Sequence, residues 1–169
     1  LYIASVCGNL EIARMLSDKG ADCHAFKHDR SSSPFLNAVI HNRVEMAKLF
    51  IDNMSRKDVN IKTQNGMTPL FVASNTGSVG LVELSYGANT NVSDKNGDTP
   101  LHVATKKCLA EVVRVLLAND ADVNAQNENG VTPLFVASQS SNVELNRILL
   151  EHGANVNVAL DNGATPLFI

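Results

Sequence analysis

Apolar positions along this chain fall into short helical blocks rather than one long amphipathic run. In the stretch 99–120, Leu101, Val103 and Ala104 open a short block that closes near Cys108. Val112, Val115, Leu116 and Leu117 then gather on one side of a longer block. Apolar residues spaced three and four apart predict helices. Thr99 stands where a hydroxyl can cap the first of them, and Pro100 takes the first helical position, where its missing N–H is harmless. Asn96-Gly97, just upstream, predicts a tight hairpin turn with both residues at positive φ. Asp120 to Asn124 return the chain towards the next such turn. The predicted unit is therefore a hairpin, a short helix, a longer helix and a return loop.

This unit recurs. TPLFVAS (68–74) returns as TPLHVAT (99–105), as TPLFVAS (132–138) and as TPLFI (165–169), with weaker copies SPFLNAV (33–39) and LYIASV (1–6). The four strong copies begin at 68, 99, 132 and 165, so their spacings are 31, 33 and 33 residues. Between them lies a second block: GADCH (20–24), KDVN (57–60), GANTN (87–91), DADVN (120–124) and GANVN (153–157). An Asn-Gly pair precedes each strong copy, at 65–66, 96–97, 129–130 and 162–163. One such unit cannot bury its apolar face alone, so neighbours must stack and share a core.

TPLHVA followed by EVVRVLL and DADVNAQNENG resembles the ankyrin repeat. Six motif starts cover nearly the whole chain, with five units complete or nearly so. The resemblance implies an all-α fold, an ankyrin-repeat solenoid of stacked helix–loop–helix units with projecting β-hairpin loops and about ten helices. It implies a single domain over 1–169, in units of approximately 1–28, 29–62, 63–93, 94–126 and 127–159 with a partial sixth at 160–169. Leu1 begins inside a motif and Ile169 stops inside one, so the chain is expected to be a fragment of a longer protein.

Several places depart from the pattern. From Gly77 to Gly87 the chain takes ten steps, whereas Cys108 to Asp120 and Ser141 to Gly153 take twelve each. Either the second helix of unit three is shortened by about half a turn, or two residues after Leu84 are missing from the sequence. NMSRKDVN in unit two carries two extra residues, and HAFKHDRSSSP lacks Asn-Gly, which predicts an irregular join between units one and two. Asn42, Cys108 and Ser141 stand where Gly8 and Gly77 end the first helix elsewhere. If that site is left-handed, Asn is tolerable, while Cys or Ser costs on the order of 1 kcal/mol.

Composition narrows the function. Apolar residues are 44% of the chain, aromatics 5%, and Trp is absent. A core of Leu, Val, Ile and Ala suits thin packed layers better than a wide pocket. A net charge of -3 argues against general nucleic-acid or anionic-membrane binding, which need basic excess. An uncharged stretch, Met67 to Val82, is broken by Pro69 and Gly77 and is no membrane span. Three cysteines, Cys7, Cys23 and Cys108, give no disulfide framework and point to a reducing intracellular compartment, cytoplasmic or nuclear.

Candidate chemistry is sparse. Cys23, His24 and His28 have a loosely ligand-like spacing, but no second pair completes a metal site. Cys23 replaces the valine of the DVN block and is expected to be buried. The resemblance gives His102, the His of TPLH, a structural role: hydrogen-bonding locally and helping to join neighbouring hairpins. Tyr2, Leu36, Phe71, Phe135 and Phe168 fill that slot elsewhere. No Ser/His/Asp set, carboxylate pair or phosphate loop stands out beyond what the repeats explain. The reading is therefore no enzyme, no cofactor and no metal.

The resemblance implies a protein–protein interaction scaffold that meets its partner through hairpin tips and the concave short-helix face. Carried onto this chain, the tips are Gln64, Asn65 and Met67; Lys95, Asn96 and Asp98; Glu128, Asn129 and Val131; and Asp161, Asn162 and Ala164. The short-helix column runs Val6-Cys7, Ile40-His41, Asn75-Thr76, Lys106-Lys107 and Gln139-Ser140, from apolar through polar to basic at unit four. The expected partner is another protein with an acidic segment opposite Lys106 and Lys107, bound by a monomer. The alternative is a targeting or regulatory arm of a larger enzyme or membrane-linked protein whose catalytic domain lies elsewhere. The resemblance also marks Asn124 and Asn157 as candidate substrates of an asparaginyl hydroxylase, with Leu116 and Leu149 eight residues upstream. Asn91 has Glu83 at that distance.

Overall fold

Serine or threonine followed by proline starts each of the clearest short helices. In the computed structural model, which describes residues 1–25, 32–53, 58–84, 87–160 and 163–166, side-chain oxygens of Ser33, Thr68, Thr99 and Thr132 accept from the N–H of Leu36, Phe71, His102 and Phe135 at 3.1, 3.2, 3.4 and 3.2 Å. All four caps are buried. Replacing one by alanine strands a helix N–H away from water, at about 1 kcal/mol.

Among the described residues ten α-helices follow in order: α1 (Tyr2–Cys7), α2 (Leu10–Asp18), α3 (Pro34–Ile40), α4 (Val44–Asp52), α5 (Pro69–Thr76), α6 (Val79–Leu84), α7 (Pro100–Lys106), α8 (Ala110–Ala118), α9 (Pro133–Gln139) and α10 (Val143–Glu151). A 3-10 turn, Asp58–Asn60, lies between α4 and α5, and none of the described residues forms a strand. The site that ends each short helix is left-handed in every repeat. Gly8 and Gly77 lie at φ 76° and 77°, Asn42 at 53°, Cys108 at 57° and Ser141 at 53°. Asp120 does the same after α8, at φ 61°, where Gly20, Gly87 and Gly153 stand in other repeats.

The chain divides into two compact units, Leu1–Ala88 and Asn89–Ile169. In the first, α1, α3 and α5, the first helices of their repeats, form one row, backed by a row of the second helices, α2, α4 and α6. Phe35, Leu36, Val39, Met46, Phe50, Leu70, Phe71, Leu81 and Val82 fill the space between. In the second, α7 packs on α9 and α8 on α10, around Leu101, Val112, Val113, Leu116, Leu134, Phe135, Leu145, Ile148 and Leu149. The buried face of α8 includes Val112 and Leu116, as expected, together with Val113. Val113 is buried completely, whereas Val115 and Leu117 are half-buried, because α8 lies between α7 on one side and α10 on the other.

One of the two length anomalies falls partly on described residues. α6 is described over six residues, Val79–Leu84, against nine in α2, α4, α8 and α10, and residues 85–86 after it lie outside the described residues. The irregular join at 26–31, the extra residues at 54–57, His28, Asp161, Asn162 and Phe168 lie outside the described residues.

Candidate protein-binding surface

The hairpins share one backbone pattern, and those at 94–98 and 127–131 add a polar side chain beneath it. Asp94 N–H donates to Asp98 O at 2.9 Å, and Gly97 N–H donates to Asp94 O at 3.2 Å. The same pattern recurs at 127–131, at 63–67 and, from Leu160 to Ala164, at the last tip. Only the glycines adopt positive φ here: Gly66 at 77°, Gly97 at 79° and Gly130 at 72°. Asn65, Asn96 and Asn129 do not, so the two-residue turn expected from Asn-Gly is replaced by a three-residue loop ending in a left-handed glycine. The cause is visible at Asp94, whose Oδ1 accepts from Asn96 N at 2.8 Å and Asp98 N at 3.0 Å. Asn127 Oδ1 does likewise for Asn129 N at 3.0 Å and Val131 N at 3.1 Å. These bonds hold the asparagine right-handed and leave the reversal to glycine.

Within the second unit neighbouring hairpins are tied side to side. Asn127 Nδ2 donates to Asp98 Oδ1 at 2.8 Å, and Glu128 N–H donates to Asn96 O at 3.1 Å. A Cβ on Gly97 would lie 2.6 Å from Glu128 N, so this approach needs glycine for space as well as for φ. His102 completes the tie. Its Nε2 is 2.9 Å from Val131 O, and its Nδ1 is 3.2 Å from Thr99 N and 2.9 Å from Thr99 Oγ1. The ring is 2% exposed. Burial holds its pKa below the ordinary histidine value, while the Val131 carbonyl, then the Asp98 and Asp94 carboxylates and the Ala125 backbone, pull the other way.

The return loops carry a second set of ties that the sequence reading missed. Asn91 Nδ2 donates to Asp120 O at 3.1 Å while its Oδ1 accepts from Asp122 N at 2.7 Å. One repeat on, Asn124 Nδ2 donates to Gly153 O at 3.2 Å and its Oδ1 accepts from Asn155 N at 2.7 Å. The signal was present, since asparagine recurs at 60, 91, 124 and 157. Asn157, also exposed, donates its backbone N–H to Asn155 Oδ1 at 2.9 Å.

The expected contact residues divide into two kinds. Gln64, Lys95 and Glu128 are exposed at tips, whereas Met67, Asp98 and Val131 are half-buried. Of these, Asp98 and Val131 are joints between hairpins. The short-helix column is exposed throughout: Val6 and Cys7, Ile40 and His41, Asn75 and Thr76 in the first unit, then Lys106 and Lys107, Gln139 and Ser140 in the second. All these pairs end short helices that pack beside one another within their unit.

Among the described residues no cluster of three His, Cys, Asp or Glu could hold a metal ion. Cys23 is buried, and the His24 ring meets Phe35 edge-on at 6.4 Å and 74°. No described helix is long and apolar enough to cross a membrane.

A family model of ankyrin repeats matches the chain in three overlapping copies, over residues 1–91, 35–127 and 78–159. The protein belongs to the ankyrin-repeat family. Among curated proteins it is similar to delta-latroinsectotoxin-Lt1a of Latrodectus tredecimguttatus, 35% identical over 82 residues, which is 47% of this chain and 7% of that protein. Ankyrin repeats generally mediate protein–protein interaction, and proteins built from them are typically scaffolds rather than enzymes.

Proposed function

We propose that this chain is a protein-recognition scaffold that binds its partner through the hairpin tips and the exposed ends of the short helices. The observation that carries this reading is the column itself. Five equivalent helix ends stay exposed while their chemistry changes from Val-Cys and Ile-His through Asn-Thr to Lys-Lys and Gln-Ser. Thr76 and Ser140 also bond to their own helices, but all ten side chains stay exposed at equivalent positions. Lys106 and Lys107 close α7, and Lys95 stands on the hairpin of the same repeat. The partner opposite them carries carboxylates, and the part that meets Ile40 and His41 carries an apolar anchor. The chain acts as a monomer in a reducing intracellular compartment, cytoplasmic or nuclear.

Affinity capture with this chain followed by mass spectrometry identifies the partner. The double variant Lys106→Glu/Lys107→Glu then tests the surface. Its association with the captured partner should be slower at low salt and less salt-dependent, because exposed charges act mostly on encounter. Its stability should stay within about 0.5 kcal/mol of wild type. An unaltered association rate would remove unit four from the binding face.

A further inference from the structure

Asparagine followed by glycine brings a chemistry of its own. The glycine nitrogen attacks the asparagine Cγ: an N–C bond forms, the bond from Cγ to Nδ2 breaks, and ammonia leaves with the proton of the glycine N–H. Water then opens the five-membered imide at either carbonyl, leaving aspartate or its β-linked isomer. Asparagine is among the chemically labile side chains, and a following glycine has no Cβ to hinder the attack. The chain places Asn-Gly at four hairpin tips, 65–66, 96–97, 129–130 and 162–163. In a folded chain the reaction waits on local opening, whose cost is set by the bonds that must break.

Ring closure needs the glycine N–H released and the peptide plane after the asparagine rotated. The two hairpins of the second unit share one restraint on this. Gly97 N–H donates to Asp94 O at 3.2 Å, and Gly130 N–H donates to Asn127 O at 2.9 Å. Asn96 carries further restraints. Its Nδ2 donates to Asp94 Oδ2 at 3.3 Å, and its O accepts from Glu128 N at 3.1 Å. Gly97 is wedged against the backbone of Asn127 and Glu128, where even a Cβ would come within 2.6 Å. Rotating the plane after Asn96 therefore breaks the tie to the next hairpin. Asn129 is just as exposed, yet it is held only by its backbone N–H, which donates to Asn127 Oδ1 at 3.0 Å. Its side-chain amide and its carbonyl meet no partner among the described residues, and a Cβ on Gly130 would meet only Leu160 Cδ2, at 3.8 Å. Asn65 is engaged by a partner as well, and Asn162 lies outside the described residues.

We propose that Asn129 is a site of spontaneous modification: it deamidates while the chain stays folded, ahead of Asn96, and leaves aspartate or β-linked aspartate at the tip of hairpin 127–131. The product places a negative charge beside Glu128, and the β-linked form adds a methylene to the backbone of the loop. A tip that begins with one carboxylate ages into one with two. Because Glu128 and Asn129 belong to the contact surface, the aged form binds an acidic partner more weakly. That last step rests on the function proposed above.

The test needs no partner, so its outcome is independent of that function. The full chain is held at neutral pH and body temperature, sampled over days, digested at acidic pH to halt the reaction, and sequenced by peptide mass spectrometry. Aspartate and its β-linked isomer should accumulate at residue 129 about threefold or more faster than at residue 96. In urea, where both tips are open, the two rates should converge. Equal rates in the folded chain would mean that both sites react through global unfolding, and would overturn the proposal. So would an Asn129 that stays intact while the urea-treated chain reacts, or a preference for Asn129 that urea leaves unchanged.

Discussion

Five residues end a short helix in the left-handed region, and Asn42, Cys108 and Ser141 do so with a side chain attached. A Cβ crowds the following carbonyl there, and asparagine, cysteine and serine differ in how well they bear it. Cys108→Gly and Ser141→Gly should each raise the unfolding free energy by about 0.5–1 kcal/mol, the relief being partly offset by the extra freedom glycine has when unfolded. Urea titration with an unchanged slope is the measurement, and a loss of stability would count against the strain. Gly97→Ala should do the reverse and cost more than the αL strain alone, because its Cβ meets backbone rather than a movable side chain. At Asn124 and Asn157 we expect hydroxylation on co-expression with an asparaginyl hydroxylase, in preference to Asn91. Added oxygen on Asn91 alone, by peptide mass spectrometry, would exclude it. Residue by residue, the left-handed sites were legible because glycine marks them in sister repeats. The hairpin conformation was not, because Asn-Gly suits two turns and the choice lies with Asp94 and Asn127, outside the pair.

Among the elements, α6 is the outlier. Its repeat takes ten steps from Gly77 to Gly87 where others take twelve, and each buried leucine side chain is worth roughly 1.5–3 kcal/mol. Its amides should therefore open faster than those of α8, and hydrogen exchange should resolve Val79–Leu84 from Ala110–Ala118. Equal protection would mean that the packing around Leu81 and Val82 has made good the loss. Inserting two leucines after Leu84 should slow exchange in α6. Helix order and type were legible from the period of the motif, since a hydroxyl residue and proline start α3, α5, α7 and α9 and a left-handed site ends them. The buried face of α8 was less so. Val113 is buried with Val112 and Leu116, while Val115 and Leu117, named for that face from the sequence, are half-buried.

Across the whole molecule the charge is slightly negative, so any attraction for an acidic partner has to come from local placement of lysines rather than from a general field. Far-ultraviolet circular dichroism should be dominated by helix, and a strand-dominated spectrum would contradict the fold. The family and the repeat count were legible because the same pattern is written several times over. The ties between repeats were not, since each joins residues about thirty positions apart that no local window contains together. The return-loop asparagines turn this into a rule about copying. Asn91 and Asn124 each grip the next loop on both sides of a short stretch of backbone, so the distance from loop to loop works as a gauge that tolerates no slippage. The ten-step stretch from Gly77 to Gly87 lies outside the residues these ties join. A gene that grows by duplicating such a unit keeps its copies interlocking wherever the spacing from a return-loop asparagine to the backbone it grips is kept, as it is from Asn91 to Asp122 and from Asn124 to Asn155.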